Sequence, residues 1–221
     1  KLVSVKKETP DTVSFVLQGS PFEHQAGQFV MLDFLIDEKV VKRAYSIASS
    51  PKRGLNGEVE LCVKAMTNGL VSKLLQNSKP GDLFKVSGTF GRFVFDPDQQ
   101  KDIVMLGAGS GIAPFVAMIE QIKNEHLDNK ACLIFSNKIE EDIIYRKWLN
   151  DLVSHCQNAE VHYTLTRRTK EDIEGEDVWI GKSGRIDSTM LTHLCGSDLS
   201  KKDFFICGPL VFVKSMKEIL L

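Results

Sequence analysis

The sequence predicts two domains: an antiparallel sheet or small barrel, then a domain in which strands and helices alternate around a parallel sheet. Short apolar runs with a period of two fill about the first 90 residues. After a polar segment at 96–101, the apolar period changes to about 3.6. The 221 residues are enough for one large domain or two small ones. We therefore divide the chain into domains 1–98 and 99–221.

The first domain is predicted to contain six short antiparallel strands. Gly, Pro and Asn residues separate its apolar runs, as is typical of strands joined by tight turns. One helical turn, 71–76, interrupts the strands. The runs that identify strands are 12–17, 29–34, 44–47, 58–63 and 83–86.

The second domain shows the alternation that is typical of a parallel α/β sheet. A helix is predicted over 115–122. A second helix is predicted from Ile139 to Leu152, because its apolar residues share one face and its first turn is acidic, as the helix dipole favours. The predicted strands are 103–106, 131–135, 161–165 and 203–207.

Composition argues against nucleic acid and membrane partners. The 28 Lys and Arg residues balance 29 Asp and Glu residues, so the general attraction to a phosphate backbone is missing. No apolar stretch reaches the length of a membrane span, and the first residues do not form a secretory signal. We expect a cytoplasmic protein. Since the sequence lacks an initiator Met, we also expect a fragment of a longer chain.

The cysteines and histidines are scattered and form no spacing that is typical of a metal site or cluster. We therefore expect no metal, no iron–sulfur cluster and no disulfide framework, and we interpret the histidines as surface or capping residues. The residues concerned are Cys62, Cys132, Cys156, Cys195 and Cys207, with His24, His126, His155, His162 and His193.

A glycine-rich loop at 107–114 lies between a predicted strand and a predicted helix. Its glycines allow close approach of a pyrophosphate, and the helix N-terminus stabilises negative charge. The third glycine, Gly111, comes one position too early for the usual dinucleotide motif, and no acidic residue ends the next strand. From the loop alone, a dinucleotide cradle and a simple tight turn are about equally supported.

The segment Arg43-Ala44-Tyr45-Ser46 combines a guanidinium, an aromatic ring and a hydroxyl on one predicted strand. Because side chains alternate, Arg43 and Tyr45 share a face. Such a set suits a phosphate next to a planar ring, although an ordinary strand with an exposed arginine is the alternative. Gly69 to Ser72 opens a helical turn and offers a second phosphate-binding N-terminus.

Five motifs in this order resemble the ferredoxin–NADP reductase-like flavoproteins, which include cytochrome b5 reductases and oxygenase reductase components. The resemblance covers nearly the whole chain. It implies an N-terminal six-stranded flavin-binding barrel followed by an NAD(P)-binding α/β domain. The motifs are R-x-Y-S at 43–46, G-x-x-S at 69–72, G-x-F-G-x-F at 88–93, G-x-G-x-G-I-A-P at 107–114 and C-G-P at 207–209.

The resemblance also implies roles for individual residues. Arg43 would bind a flavin phosphate, Tyr45 would lie against the isoalloxazine, and Ser46 would hydrogen-bond near flavin N5. Cys207 would lie beside the nicotinamide, so Ser46 and Cys207 are the candidate catalytic residues. The remaining cofactor-binding candidates are Ala44, Val63, Lys64, Gly69, Leu70, Val71, Ser72, Gly107, Gly109, Ser110, Gly111, Pro114, Arg167, Arg168, Gly208 and Pro209.

The implied function is that of an FAD-dependent oxidoreductase that takes hydride from NADPH or NADH. It would pass electrons to a separate acceptor: a ferredoxin, a cytochrome or an oxygenase component. The alternatives are an electron-transfer subunit of a larger complex and a reductase of flavins or small molecules. Arg167 and Arg168 favour NADPH, because they follow the third parallel strand without an acidic residue between them and that strand.

The sequence departs from the family at its C-terminus, where relatives continue to one more strand and often to an aromatic residue over the flavin. Either C-terminal residues are missing here or something else covers the flavin. No ferredoxin-type cysteine cluster accompanies the two domains.

Overall fold

The computed structural model describes residues 1–66, 69–168, 179–196 and 198–221. They form two compact units. The first comprises Lys1–Asp96 together with Ala113–His126, and the second comprises Pro97–Ile112 together with Leu127–Leu221. The division at 98/99 that we predicted stays a prediction.

Six antiparallel strands form two three-stranded sheets, with the orders β1-β2-β5 and β4-β3-β6, as the predicted fold class requires. Two short helices join them. The elements are β1 (Leu2–Thr9), β2 (Thr12–Gln18), β3 (Phe29–Ile36), β4 (Lys39–Ser46), α1 (Pro51–Leu55), β5 (Glu58–Lys64), α2 (Leu70–Gln76) and β6 (Lys85–Phe90).

The two sheets share one apolar core, because alternate residues of each strand point inward. On β3, Val30, Leu32 and Phe34 are buried, and they contact a cluster that includes Phe15 and Leu61 from the other sheet. An antiparallel bridge between Ile47 and Leu61 also connects the end of β4 to β5.

Five parallel strands form the sheet of the second unit, in the order β10-β9-β8-β7-β11. The strands β7 and β8 are buried on both faces, as is usual in parallel sheets covered by helices. The remaining elements are β7 (Ile103–Ala108), α3 (Ala113–Asn124), β8 (Ala131–Asn137), α4 (Arg146–Val153), β9 (Ala159–Leu165), β10 (Lys182–Ser183), α5 (Ser188–Cys195), β11 (Asp203–Cys207) and α6 (Leu210–Leu220).

Three local predictions need correction. Strand β1 was not recognised among the apolar runs. The run at 83–86 is only partly a strand, since β6 begins at Lys85 and Leu83 is 82% exposed. The predicted helix from Ile139 to Leu152 is a 3₁₀ turn at Glu140–Asp142 followed by α4. The left-handed backbone of the buried Tyr145 (φ 59°) separates the two.

Helix α3 belongs to the first unit. A cluster of charged side chains links it to α1 and β5. Arg53 from α1 contacts Glu58 and Glu60 of β5 and lies 3.5 Å from Glu120 of α3. Glu120 also accepts a 2.5 Å hydrogen bond from the backbone N–H of Ser50. The cluster joins segments that are far apart in the chain.

His24 is buried, so our interpretation of it as a surface or capping residue is wrong. Its Nε2 lies 3.1 Å from the carbonyl oxygen of Ser49, and its ring stacks on Phe22. Burial lowers the pKa of His24, although the Ser49 carbonyl and the Glu120 carboxylate partly oppose that effect.

Across the described ranges, every helix is too short or too polar to traverse a lipid bilayer.

Candidate functional site

The strand β4 carries Arg43, Ala44, Tyr45 and Ser46 at the edge of its sheet. Arg43 pairs in register with Leu32 and Tyr45 with Val30, so the two side chains share a face, as the alternation predicts. Arg43 is exposed, and its guanidinium donates a 2.9 Å hydrogen bond to the carbonyl of Lys42. A neutral carbonyl does not neutralise its charge, so the charge remains available to an anionic ligand.

Tyr45 differs from Arg43 because it is half-buried and packs against the apolar core. Burial raises the pKa of Tyr45, and the nearby Arg43 charge only partly offsets this effect. The phenol is therefore neutral at physiological pH, and the apolar core packs against the Tyr45 side chain.

The turn at Gly69–Ser72 is held by the hydroxyl of Ser72. That hydroxyl accepts a 3.0 Å hydrogen bond from Met66 N–H and donates a 3.0 Å hydrogen bond to the carbonyl of Gly69. A Cβ on Gly69 would lie 2.7 Å from Met66 Cβ, so the turn needs glycine there. Ser72 is buried and Val71 contributes to the core. Helix α2 begins at Leu70, directly after Gly69.

Two other candidates lie at the end of β5 and have structural contacts of their own. Val63 is 1% exposed within the apolar core. Lys64 forms a 3.0 Å ion pair with Asp11. At Val63 only the backbone remains available to a cofactor.

In the second unit, the glycine loop follows β7 at the carboxyl edge of the parallel sheet. Gly107 pairs with Cys207 of β11, so the loop and the C-G-P segment begin at the same level. Residues Gly109–Ile112 form one 3₁₀ turn, which includes Ser110. Gly109 has φ +55° and open space where a Cβ would point. The carboxyl edge of a parallel sheet is where such folds bind ligands.

Gly111 and Gly208 allow the two segments to touch. A Cβ on Gly111 would overlap the carbonyl of Cys207 and approach Gly208 N to 2.7 Å, and a Cβ on Gly208 would lie 3.0 Å from Ala108 Cβ. Burial raises the pKa of the half-buried Cys207 thiol. At neutral pH, Cys207 is therefore a neutral thiol, which suits contact with an uncharged ring.

The remaining candidates occupy the ends of elements. Pro114 is buried in the first turn of α3, and Pro209 immediately precedes α6. Arg167 is exposed after β9, with its N–H bonded to the Lys138 carbonyl at 3.0 Å, and Arg168 is partly buried. The cofactor contacts that we assign to these residues stay predictions.

Comparison with known families identifies both domains. Residues 1–95 match the model of an oxidoreductase FAD-binding domain. Residues 105–218 match the model of an oxidoreductase NAD-binding domain. The chain belongs to the ferredoxin–NADP reductase-like flavoproteins. FAD and a nicotinamide dinucleotide are the cofactors of this flavoprotein's two domain families.

Individual relatives are similar over most of this flavoprotein. NADH-cytochrome b5 reductase 1 of Eremothecium gossypii is 30% identical over 195 residues, which cover 87% of this chain and 66% of the relative. The glycine betaine monooxygenase reductase subunit of Chromohalobacter salexigens is 30% identical over 225 residues, which cover 100% of this chain and 59% of the relative. The flavoprotein chain thus spans 66% and 59% of these two relatives.

A solved structure of a reductase has the same two-domain fold. The ferredoxin NADP+ reductase from Neisseria gonorrhoeae, with bound FAD and NADP, has a TM-score of 0.82 and 26% identity. The match covers 100% of this flavoprotein chain and 88% of that chain.

Sequence reasoning missed one group of potential metal ligands in the flavoprotein. Cys132 on β8 and Glu160 on β9 are register partners, and His162 follows two residues later on the same face. Their ligand atoms lie within 4.8 Å of one another. The spacing of Glu160 and His162 was readable from the sequence, but their proximity to Cys132 depends on strand register.

Proposed function

We propose that this chain is an FAD-dependent oxidoreductase that takes hydride from NAD(P)H and passes electrons to a separate redox partner. In this proposal, residues 1–98 bind FAD and residues 99–221 bind the dinucleotide. The relatives' names, NADH-cytochrome b5 reductase and a monooxygenase reductase subunit, support a reductase.

One observation carries the proposal: the glycine loop and the C-G-P segment meet at the carboxyl edge of the parallel sheet. The close approach of Gly111 to Cys207 supports a site in which the proposed dinucleotide cradle and the proposed nicotinamide residue act together. A loop that was only a tight turn would not require this contact with a second motif.

The first unit offers groups that fit FAD. Arg43 supplies an exposed cation, Tyr45 an aromatic ring on the same strand face, and Gly69 a turn into which a Cβ could not fit. Phosphate binds well to guanidinium and to backbone N–H groups at a helix start. Arg43 and the turn would hold the phosphates, while Tyr45 would support the flavin ring.

Bound FAD and NAD(P)H supply the hydride and electron chemistry, and the protein supplies orientation and a suitable electrostatic environment. Ser46, which ends β4, would donate a hydrogen bond near flavin N5. Cys207 would contact the nicotinamide with a neutral thiol and restrict its position. Correct orientation of the reacting centres accounts for much of the rate that such enzymes achieve.

The finer assignments extend this proposal. NADPH is favoured by Arg167 and Arg168, since arginine binds a 2′-phosphate through paired hydrogen bonds. The acceptor is proposed to be a one-electron metalloprotein, such as a ferredoxin, a cytochrome or an oxygenase component. We also propose a cytoplasmic location.

The experiment begins with the absorption spectrum of the purified chain after incubation with FAD and gel filtration. We expect one bound flavin per chain and bleaching of its visible absorbance when NADPH or NADH is added without oxygen. Reoxidation is then followed with a ferredoxin, with cytochrome b5 and with free flavin as acceptors. A chain that retains no FAD, or whose bound FAD neither nucleotide reduces, would overturn the proposal.

A further inference from the structure

Two cysteines of the second unit are in direct contact, although 63 positions separate them in the sequence. The Sγ atom of Cys132, on β8, lies 3.5 Å from the Sγ atom of Cys195, at the end of α5. Formation of a disulfide requires the two sulfurs to approach to about 2.05 Å. The sulfurs must therefore approach each other by about a further 1.5 Å. Gly196 ends α5 directly after Cys195 with φ +80°, a conformation that glycine adopts at no steric cost.

A surface cavity gives reagents a route to this pair. It has a volume of about 210 Å³, and both thiols line it. The exposed residues Lys130, Gln157 and Glu160 also line it, so it opens toward solvent. A small oxidant can therefore reach the sulfurs without unfolding of the unit.

Either sulfur can donate the hydrogen bond that joins the pair. Both sulfurs line the cavity, so either one can attack an oxidant, and the other is already in contact with it. A sulfenic acid condenses with such a neighbouring thiol to a disulfide.

We propose that Cys132 and Cys195 are a peroxide-reactive dithiol that closes to a disulfide. One sulfur loses its proton and attacks hydrogen peroxide, so that the O–O bond breaks, a sulfenic acid forms, and the hydroxide that leaves takes that proton and becomes water. The second sulfur then attacks the oxidised sulfur, the S–O bond breaks, and the released hydroxide takes the proton of the second thiol. The two sulfurs lose two electrons, and peroxide becomes two waters.

The alternative role for Cys132 is that of a metal ligand, because Cys132 also lies near Glu160 and His162. The lysines favour the dithiol. Lys130 and Lys202 line the cavity, and their charges repel a metal cation. Glu160 and His162 also contact each other at 3.4 Å near the surface.

The test is differential alkylation of the full chain before and after treatment with equimolar hydrogen peroxide, followed by peptide mass spectrometry. Five free thiols are present at the start. We expect two to be lost together, as one peptide pair that is joined between Cys132 and Cys195 and separated by reductant. Buried Cys156, which stays alkylatable after denaturation, is the internal control.

Two variants test the need for both sulfurs. In Cys132→Ser and in Cys195→Ser, no disulfide should form, and oxidation of the remaining thiol should stop at a sulfenic acid, which dimedone traps. Circular dichroism and thermal melting check that both variants fold.

Three results would overturn the proposal. In the first, both cysteines stay alkylatable in the wild-type chain after peroxide. In the second, peroxide leaves a stable sulfenic acid on one of the two cysteines of the wild-type chain and joins no peptide pair. In the third, the chain binds one zinc ion, and peroxide oxidises the pair only after a chelator removes the metal; the pair would then be part of a metal site.

Discussion

Gly111 lies so close to Cys207 that the Cys207 carbonyl occupies the space where a Cβ would be. The two residues come from segments almost a hundred positions apart, and the pairing of β7 with β11 brings them together. The contact fixes the glycine loop relative to the C-G-P segment. Both are elements of the proposed dinucleotide site.

The first prediction concerns this contact. Gly111→Ala should lower the free energy of unfolding by about 1–3 kcal/mol, because the added methyl group forces the two backbones apart. It should also weaken dinucleotide binding. Chemical denaturation and titration with NADPH and NADH measure the two effects. Gly19→Ala is the matched control, since a Cβ there meets nothing within 4 Å and the position lies outside the proposed dinucleotide site. Equal effects of both variants would contradict a specific role for the Gly111 contact.

Much of the fold was predictable because its signals are local. Alternating apolar residues identified β2, β3 and β5, and doubly buried runs identified β7 and β8. The helix ending at Leu152 was harder, because Tyr145 adopts a left-handed backbone that its neighbours in sequence do not predict. Strand β1 has polar residues at most of its exposed positions, which weakens its apolar signal.

The candidate sites were predictable from motifs, whereas their contacts were not. The sequence indicates a glycine loop and a C-G-P segment separately, and only the β7–β11 register places them together. The same limit applies to Arg53 and Glu120, and to Cys132 and Cys195. Each contact depends on tertiary packing between segments more than 60 positions apart.

The second prediction concerns flavin binding. Arg43→Ala should weaken FAD binding about tenfold to a hundredfold, because a charge-assisted hydrogen bond of about 1.5–3 kcal/mol is lost. Flavin retention after gel filtration and fluorescence titration measure it. Lys42→Ala removes the same charge from the adjacent, opposite-facing position and should have little effect. An Arg43→Ala chain that keeps stoichiometric FAD would refute the assignment.

The third prediction concerns hydride transfer. Ser46→Ala and Cys207→Ala should each slow flavin reduction about tenfold to a hundredfold, since both residues are proposed to orient the reacting centres. Stopped-flow absorbance at saturating nucleotide measures the rate, and flavin content should stay unchanged. Cys156→Ala is the control for loss of a thiol. Wild-type rates in both test variants would show that these positions do not act in the transfer.

The fourth prediction concerns pH and the buried His24. Its folded pKa is below the ordinary value of 6.5, chiefly because burial disfavours the charged ring. The neutral ring therefore contributes stability at pH values above 6.5, and this contribution is lost as the pH falls through the folded pKa. His24→Gln should reduce the loss of stability between pH 7.5 and acidic pH, as urea unfolding at several pH values will show. His126→Gln, at an exposed position, is the control. An identical pH dependence in wild type and His24→Gln would refute the prediction.

The fifth prediction concerns nucleotide choice. Arg167 and Arg168 follow β9 after one intervening residue, Thr166. Arg167 is exposed and Arg168 is partly buried, and the backbone N–H of Arg167 donates a hydrogen bond to the Lys138 carbonyl. A guanidinium in this position can pair with a 2′-phosphate, which NADPH carries and NADH lacks. Replacement of both arginines by alanine should therefore raise the KM for NADPH about tenfold or more, equivalent to at least about 1.4 kcal/mol, and leave NADH kinetics nearly unchanged.

Steady-state kinetics with both nucleotides and one fixed acceptor measure this difference. Lys138→Ala is a control for general loss of positive charge near the strand ends, and it should affect both nucleotides alike or neither. Equal losses with NADPH and NADH in the double-arginine variant would indicate that the arginines bind the shared pyrophosphate. A wild-type preference for NADH would refute the prediction, because the arginines would then provide no selectivity for the 2′-phosphate.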